Sequence, residues 1–298
     1  MPDQKPIGAQ FERWVSVGGS IIAPATLLSA LLFYFGYVSS RAQYDYFGID
    51  VDTVSLSTQD YIMRSPQPLL VPLLILTLSG AAVLALHTRV RRHSLHPQFR
   101  RKVRRAILVG LVVLGIGLLL LFVYPVLLRW VYYPLVTPLV LALGGAITGY
   151  GLSTLRFLDA RVDTAARAPQ PPHLGIIVLV WAAVASCLFW ATATIAEWSG
   201  LGLAQEQARN LEELPSVIVD TQERLFLPSE MRVSEMPLPA AQGQAFRYRY
   251  WGLRLLIFGD NLMFLVPNTW DSRDNTLVLP FDSSTRIQFQ FRNLSPWE

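Results

Sequence analysis

The chain has 298 residues, of which 52% are hydrophobic and only 15% are charged, and its formal net charge is +4. An average soluble domain carries about 25% charged residues, so the composition excludes ordinary soluble, disordered and coiled-coil proteins. A single cysteine also excludes a disulfide scaffold and a thiolate metal cluster. These numbers favour a multi-pass membrane protein.

The N-terminal segment, residues 1–19, carries an apolar stripe at helical spacing, which predicts a cytoplasmic helix along the membrane interface; a frayed tail is the alternative. The stripe consists of Ile7, Phe11, Trp14 and Val15. The apolar run that follows is too long for a cleaved signal peptide, and Asp3 and Glu12 dilute the positive charge that such a peptide needs. We interpret this run as a retained span.

Five windows are long and apolar enough to cross about 30 Å of hydrocarbon, which takes about 20 residues of helix. None of them contains an internal Lys, Arg, Asp or Glu. The windows are residues 20–39, 69–86, 106–128, 134–152 and 174–196. The sequence therefore predicts an α-helical integral membrane protein with a transmembrane domain over residues 20–196.

A short break separates the third and fourth windows. As one helix, residues 106–152 would extend roughly 70 Å, more than twice the hydrocarbon thickness. Pro125, Arg129 and Pro134 lie in the break beside several aromatic residues, which is typical of a turn at the interface. We expect a hairpin of two spans. The alternative is one span with a re-entrant segment, which would reverse the side of everything that follows.

Basic residues are concentrated between the second and third windows, and such loops favour the cytoplasm. They are Arg89, Arg91, Arg92, Arg100, Arg101, Lys102, Arg104 and Arg105. We expect the N-terminus in the cytoplasm and the C-terminus outside, in the cell inner (plasma) membrane. The same cations are candidates for contacts with anionic lipid headgroups, whereas the charge distribution does not indicate nucleic-acid binding.

The loop between the first two windows is acidic. Its carboxylates are Asp45, Asp50, Asp52 and Asp60. In a homo-oligomer they would form an acidic pore mouth, and solvated surface charge is the alternative. Ser57 and Asp60 predict a capped helix toward Arg64, and Gly48 is a helix stop. Aromatic residues of the loop are expected to pack it onto the helix ends.

The tail, residues 197–298, predicts a helical stalk to Leu214 followed by a small extracytoplasmic β domain, either an antiparallel sandwich or a partly open barrel. The spacing predicts strands that include residues 216–220, 224–227 and 276–280, and a hairpin turn at Gly259-Asp260-Asn261. The surface that we predict to bind a partner comprises Arg247, Arg249, Trp251 and Arg254.

No catalytic, cofactor or metal motif is present in the sequence. His93 and His96 lack a third ligand, and Cys187 lies inside an apolar run. The windows also lack the buried charge that ion-coupled transporters use. Gly145 and Gly149 have the spacing of close helix packing, within one subunit or between subunits.

Two stretches resemble a group of bacterial multi-pass membrane proteins that has no established activity. The motifs are Arg41-Ala42-Gln43, Tyr46-Phe47-Gly48-Ile49, Ser57-Thr58-Gln59-Asp60-Tyr61, Tyr250-Trp251-Gly252-Leu253-Arg254-Leu255-Leu256 and Phe264-Leu265-Val266-Pro267. The resemblance implies several spans and an extracytoplasmic β tail, and it implies no site residue.

The sequence thus favours a non-enzymatic inner-membrane protein, without a cofactor, whose β domain mediates partner binding, sensing or self-assembly. Its expected partners are anionic lipids, an envelope protein or further copies of the chain. The alternative is a homo-oligomeric ion channel or pore with the acidic residues at its outer mouth.

Overall fold

The computed structural model describes residues 7–93, 99–127, 129–162, 172–239, 243–271 and 274–290. Within these ranges the helices are α1 (Ile7–Asp45), α2 (Val51–Val54), α3 (Thr58–Arg64), α4 (Pro66–His93), α5 (Phe99–Phe122), α6 (Tyr124–Leu127), α7 (Tyr133–Val162) and α8 (Pro172–Arg209). The strands are β1 (Ser216–Thr221), β2 (Ser234–Pro237), β3 (Tyr248–Gly259), β4 (Leu262–Pro267), β5 (Leu277–Pro280) and β6 (Thr285–Gln290).

Five of these helices, α1, α4, α5, α7 and α8, are long and apolar enough to cross a membrane. Their apolar stretches are Ala23–Asp45, Pro66–Arg89, Arg100–Phe122, Tyr133–Arg156 and Gly175–Arg209. The prediction of five apolar helices is confirmed. The expected stalk is the C-terminal part of α8, which continues without interruption to Arg209.

The chain breaks between α5 and α7, as the two prolines and the aromatic residues predicted. The two helices pack side by side and antiparallel, since Gly110 lies against Thr148 near one end and Gly117 lies against Leu141 toward the other. At Gly144 the absence of a side chain lets the backbone of Leu114 approach closely. Residues 106–152 therefore belong to two long helices, with the short α6 between them, and not to one.

The chain forms two compact units, Leu69–Ile195 and a discontinuous unit made of Met1–Pro68 and Ala196–Glu298. In this division α1 and the loop after it belong to the same unit as the C-terminal part of the chain. We call the part of the discontinuous unit formed by residues 44–64, the end of α8 and the six strands the composite domain.

Within the discontinuous unit, α1 and α8 lie side by side and run in the same direction. Gly200 contacts the backbone of Ser39. One turn later in α1 and two turns later in α8, Gln43 Nε2 donates to Gln207 Oε1 at 2.8 Å. From the first contact to the second, the residue numbers increase in both helices, so the two helices run parallel.

The six strands form one antiparallel sheet in the order β5-β4-β3-β1-β6, with β2 also paired to β3. Asp260 and Asn261 both have positive φ and form the two-residue turn between β3 and β4, as predicted. The expected strand over residues 224–227 is absent, because Phe226 adopts a left-handed φ of 47° and the Leu225 amide donates to Tyr250 Oη.

The described strands form neither a sandwich nor a barrel, because helical segments cover one face of the sheet. The core on this face contains Tyr44, Phe47, Ile49, Val51, Val54, Tyr61, Ala204, Leu211, Ile257, Phe264, Val266 and Trp270. The core on the other face contains Val217, Val219, Tyr250, Leu253, Met263, Leu265 and Leu279. In β4, Met263 and Phe264 point to opposite cores, as the period of a strand requires.

We predict that the parallel contact of α1 and α8 depends on Gly200. A Cβ in Gly200→Ala would overlap the carbonyl oxygen of Ser39, whereas a Cβ at Gly202 has no neighbour within 4 Å. We expect Gly200→Ala to destabilise the protein by about 1–3 kcal/mol, as overpacking does, and Gly202→Ala to have the small stabilising effect of alanine in a helix. Thermal unfolding of the detergent-purified chain measures both, and equal midpoints would contradict the contact.

Candidate functional site

The loop after α1 folds into two short helices that use its carboxylates as caps. Asp50 accepts from the Asp52 amide at 3.1 Å at the start of α2. Ser57 and Asp60 form a reciprocal capping box on α3, which confirms the predicted helix. The hydrogen bonds from the Ser57 hydroxyl and amide lower the pKa of Asp60 below its ordinary value.

All four candidate pore-mouth carboxylates are exposed in the described chain. Asp45 forms an ion pair with Arg41 at 3.6 Å, one turn before it in α1. The other three are Asp50, Asp52 and Asp60. Local capping and pairing account for the carboxylates of Asp45, Asp50 and Asp60, while a ring of these residues in an oligomer stays a prediction.

Buried aromatic residues attach this loop to the rest of the composite domain, so Tyr44, Phe47 and Tyr61 share a core with strands as well as with the helix ends. Arg64 Nη1 donates to Tyr44 Oη at 2.6 Å, and Thr276 Oγ1 donates to the Phe47 carbonyl at 2.6 Å. The second bond joins residues 229 positions apart. The core on this face of the sheet is thus shared between the loop and the strands.

A cleft of about 330 Å³ lies where three segments of the composite domain meet. It is lined by Tyr46, Gln205, Ala208, Arg209, Trp270 and Asp271. Tyr46 follows α1, the next three residues belong to the last turns of α8, and the final two follow β4. The cleft therefore exists only when both ends of the chain have folded together.

Trp270 is the structural centre of the cleft. Its ring lies 4.8 Å from the ring of Phe47 and 5.8 Å from that of Tyr46, measured between centroids. The side chain is only 8% exposed, and its Nε1 is buried without a hydrogen-bond partner in the described chain. An unsatisfied buried donor costs about 1–3 kcal/mol.

An ion-pair cluster lies on the sheet where β1 is paired with both β3 and β6. The fully buried Asp220 accepts from Arg249 Nε at 2.8 Å and Nη2 at 3.0 Å, and from Arg286 Nε at 3.1 Å. Burial raises the pKa of Asp220, but the hydrogen bonds and charges of the two arginines outweigh this effect and hold it below its ordinary value. The cluster fixes the register of three strands.

The predicted partner surface is only partly a surface. Arg249 belongs to the ion-pair cluster, and Trp251 is half-buried. Arg254 is 4% exposed and donates to the Leu214 carbonyl at 2.9 Å, so its side chain is not accessible to a partner. Burial lowers the pKa of Arg254 below its ordinary value. Arg247 is exposed and remains the accessible arginine of the predicted group.

The remaining candidate residues lie in the other unit. Gly145 packs against Val184 and Gly149 packs against Val180, so their small size serves contacts with α8 within the chain. Exposed cations of the predicted lipid group are Arg89, Arg100, Arg101, Lys102, Arg104 and Arg105. The side chains of Arg91 and Arg92, the residue His96 and the side chains of residues 7–19 lie outside the described part of the chain.

No protein-family model, curated protein or solved structure matches this chain. Within the described ranges, no three His, Cys, Asp or Glu residues are grouped as metal ligands. Sequence reasoning missed the cleft, because Gln205, Arg209, Trp270 and Asp271 belong to no motif. The available signal was the density of aromatic residues in a loop too short to bury them alone.

We predict that Asp220 stabilises the composite domain at neutral pH. Its pKa is lower in the folded chain than the ordinary 3.8, so its contribution is present above that value and is lost as the pH falls through the folded-state pKa. Asp220→Asn leaves two neighbouring cations without their counter-ion and is expected to cost about 2 kcal/mol, less than fully buried pairs because Arg286 is half-exposed.

Thermal unfolding of the purified chain between pH 7 and pH 3 measures this contribution. The difference between wild type and Asp220→Asn should shrink as the solution becomes more acidic. An unchanged difference at pH 3 would contradict the role of the ionised carboxylate. Asp282→Asn, at an exposed carboxyl that accepts from Ser284, is the control for an aspartate outside the cluster.

Proposed function

We propose that this chain is a non-enzymatic protein of the cell inner membrane whose composite domain lies outside the cytoplasm and mediates binding or sensing. The observation that carries the proposal is the shared core of the composite domain, in which Phe47 and Trp270 are in contact. Because the loop after α1 and the C-terminal sheet share this core, we expect the composite domain to act as one binding unit on one side of a membrane.

The shared core supports a topology with five crossings. Two segments that pack together must lie on the same side of a bilayer, and four apolar helices separate the first loop from the tail. An even number of crossings returns the chain to the same side. If α5 and α7 together made a single crossing, the number would be three and the core could not form.

The direction of α1 and α8 supports the same topology independently. First and fifth crossings are parallel in a five-span protein, and these two helices are parallel along Ser39–Gly200 and Gln43–Gln207. The concentration of cations between α4 and α5 favours the cytoplasm for that loop. The composite domain, one crossing away, would then be extracytoplasmic.

The binding role is supported by the cleft and by the accessible Arg247. A cleft that combines aromatic rings with a few polar groups is the usual form of a small-ligand site. The backbone of Arg247 is held by hydrogen bonds to Thr221 and Leu238 at 2.9 and 2.7 Å, so its exposed side chain is presented from a fixed position. In the described chain, no contact specifically favours the alternative of a channel.

We predict the side of the membrane from cysteine labelling in a Cys187→Ala background. Asp52→Cys and Asn275→Cys, both at exposed positions of the composite domain, should react with an impermeant maleimide in spheroplasts. Arg101→Cys is the matched control and should react only after permeabilisation. Labelling of Asn275→Cys only after permeabilisation would contradict the proposed orientation, and different behaviour of the first two positions would contradict the shared core.

We predict that a partner contacts the sheet near Arg247. A photoreactive residue at position 247 should form a specific adduct in intact membranes, either with a second copy or with an envelope protein, identified by mass spectrometry. A probe at exposed Asn275 is the control for non-specific capture, and Arg247→Glu should abolish co-purification of the same partner. If no adduct forms at position 247 in correctly oriented protein, partner binding by this surface is wrong.

A further inference from the structure

We propose that the composite domain pairs with a second copy of the chain along strand β6, so that two sheets become one antiparallel sheet across a two-fold axis. This inference rests on the proposed function that the composite domain is a binding domain, and it names one partner and the strand that binds it. Three features of the described chain support it: an open edge at β6, protected edges elsewhere, and a β6 sequence that fits its own copy.

The backbone of β6 has an open side. In the described chain this strand is paired only with β1. The Gln222 amide donates to the Ser284 carbonyl at 3.2 Å, which makes these two residues a hydrogen-bonded pair of the ladder. Because such pairs alternate along a strand, the backbone groups of the even-numbered residues of β6 face β1, and those of Ile287 and Phe289 face away from it. A further strand can pair with these outward groups.

The side chains of β6 also favour a contact at this edge. Phe289 is 67% exposed, although it lies beside the fully buried Val217 on the sheet face away from the helical segments. Ile287 belongs to the same face and is half-buried. A second strand at this edge would place an apolar residue of the other copy next to Phe289, and such cross-strand pairs stabilise a sheet.

The other outer strands of the sheet are protected against pairing. Strands β5 and β2 each have four residues and end in a proline, Pro280 and Pro237 respectively. Proline has no amide hydrogen, and short strands that contain it are typical of edges that do not pair with another chain. By contrast, β6 has six residues and contains no proline, glycine or lysine. Among the described strands, β6 is therefore the edge that a further strand can extend.

The sequence of β6 fits a second copy of itself. In an antiparallel pair centred on Gln288, Ile287 of each copy lies opposite Phe289 of the other, and the outward backbone groups of both residues exchange hydrogen bonds. The cation of β6, Arg286, is bound to Asp220 and does not lie opposite its own counterpart. No like charges therefore face each other across the pair, and the two apolar residues meet on the same face.

The symmetry of this pair suits two copies in one bilayer. The two-fold axis of an antiparallel strand pair is perpendicular to the sheet, so both copies keep the same sheet face on the same side. The loop after α1 and the end of α8 pack on one face of the sheet. The segments that lead to the apolar helices then lie on the same side in both copies. Because the other outer strands are protected, the assembly closes as a dimer.

Cysteine cross-linking tests the strand pairing in membranes that contain the full-length Cys187→Ala chain. Single cysteines are placed in turn at positions 286–290, and copper phenanthroline is the oxidant. The residue on the two-fold axis faces its own copy with Cα atoms about 4.5–5.5 Å apart, which is within disulfide range. We expect disulfide-linked dimers to be most abundant for Gln288→Cys. Val278→Cys, at an exposed position of β5, is the control and should stay monomeric.

Substitutions at the edge test its contribution to dimerisation. Phe289→Lys adds the charge that protects natural edge strands, and it should weaken dimerisation at least about tenfold. Phe226→Lys makes the same change at a residue that is 77% exposed and lies outside the strands, and it should leave dimerisation unchanged. Förster transfer between donor- and acceptor-labelled chains, measured in liposomes over a range of protein-to-lipid ratios, gives the dissociation constants. Circular dichroism shows whether each variant is folded.

The outcomes separate this inference from the proposed function. A chain that stays monomeric at every protein-to-lipid ratio would overturn the inference, as would cross-linking of Val278→Cys equal to that of Gln288→Cys. Unchanged dimerisation of folded Phe289→Lys would overturn it as well. In these cases the maleimide labelling and an adduct between position 247 and an envelope protein would still support the proposed function, because neither depends on β6. Conversely, labelling of Asn275→Cys only after permeabilisation would contradict the proposed function even where β6 dimers form.

Discussion

The contact between the loop after α1 and the C-terminal sheet is the constraint on which the rest of the structure depends. The loop contributes Phe47 and Val54, which are almost completely buried, and the sheet contributes Phe264 and Val266. Burying one such side chain stabilises a fold by about 1.5–3 kcal/mol. Loop and strands contribute to one shared core on this face of the sheet, next to the parallel pair α1 and α8.

The parts of the fold that follow from local physics could be predicted from the sequence. Long runs without charged residues identify the five apolar helices. A helix in hydrocarbon satisfies its backbone hydrogen bonds internally and requires apolar side chains along its length. The Ser57–Asp60 capping box begins α3, and Asp260-Asn261 forms the turn between β3 and β4. Both features could be predicted because each depends only on residues a few positions apart. The break between α5 and α7 could be predicted from the length of the apolar run and from the prolines and aromatic residues within it.

The parts that depend on distant residues could not be predicted. Instead of the expected sandwich, the structure has one sheet with a helical second layer. Most residues of that layer come from the loop after α1, some 200 positions before β3 and β4. Arg254 was included in the predicted partner surface because arginine is a common interface anchor, but its side chain is buried and donates to the Leu214 carbonyl. The cleft is lined by Tyr46, Arg209 and Trp270, which are far apart in the sequence. No pattern of residue spacing predicts that they lie close together.

The discontinuous core has a consequence for biosynthesis. When the ribosome has released the loop after α1, the strands that will cover Val51, Val54 and Tyr61 have not yet been translated. At about 5–20 residues per second, their partners in β3 and β4 emerge roughly 10–40 s later. During that interval the nascent chain carries an uncovered aromatic patch, which stays open to other contacts until the last translated segment closes over it.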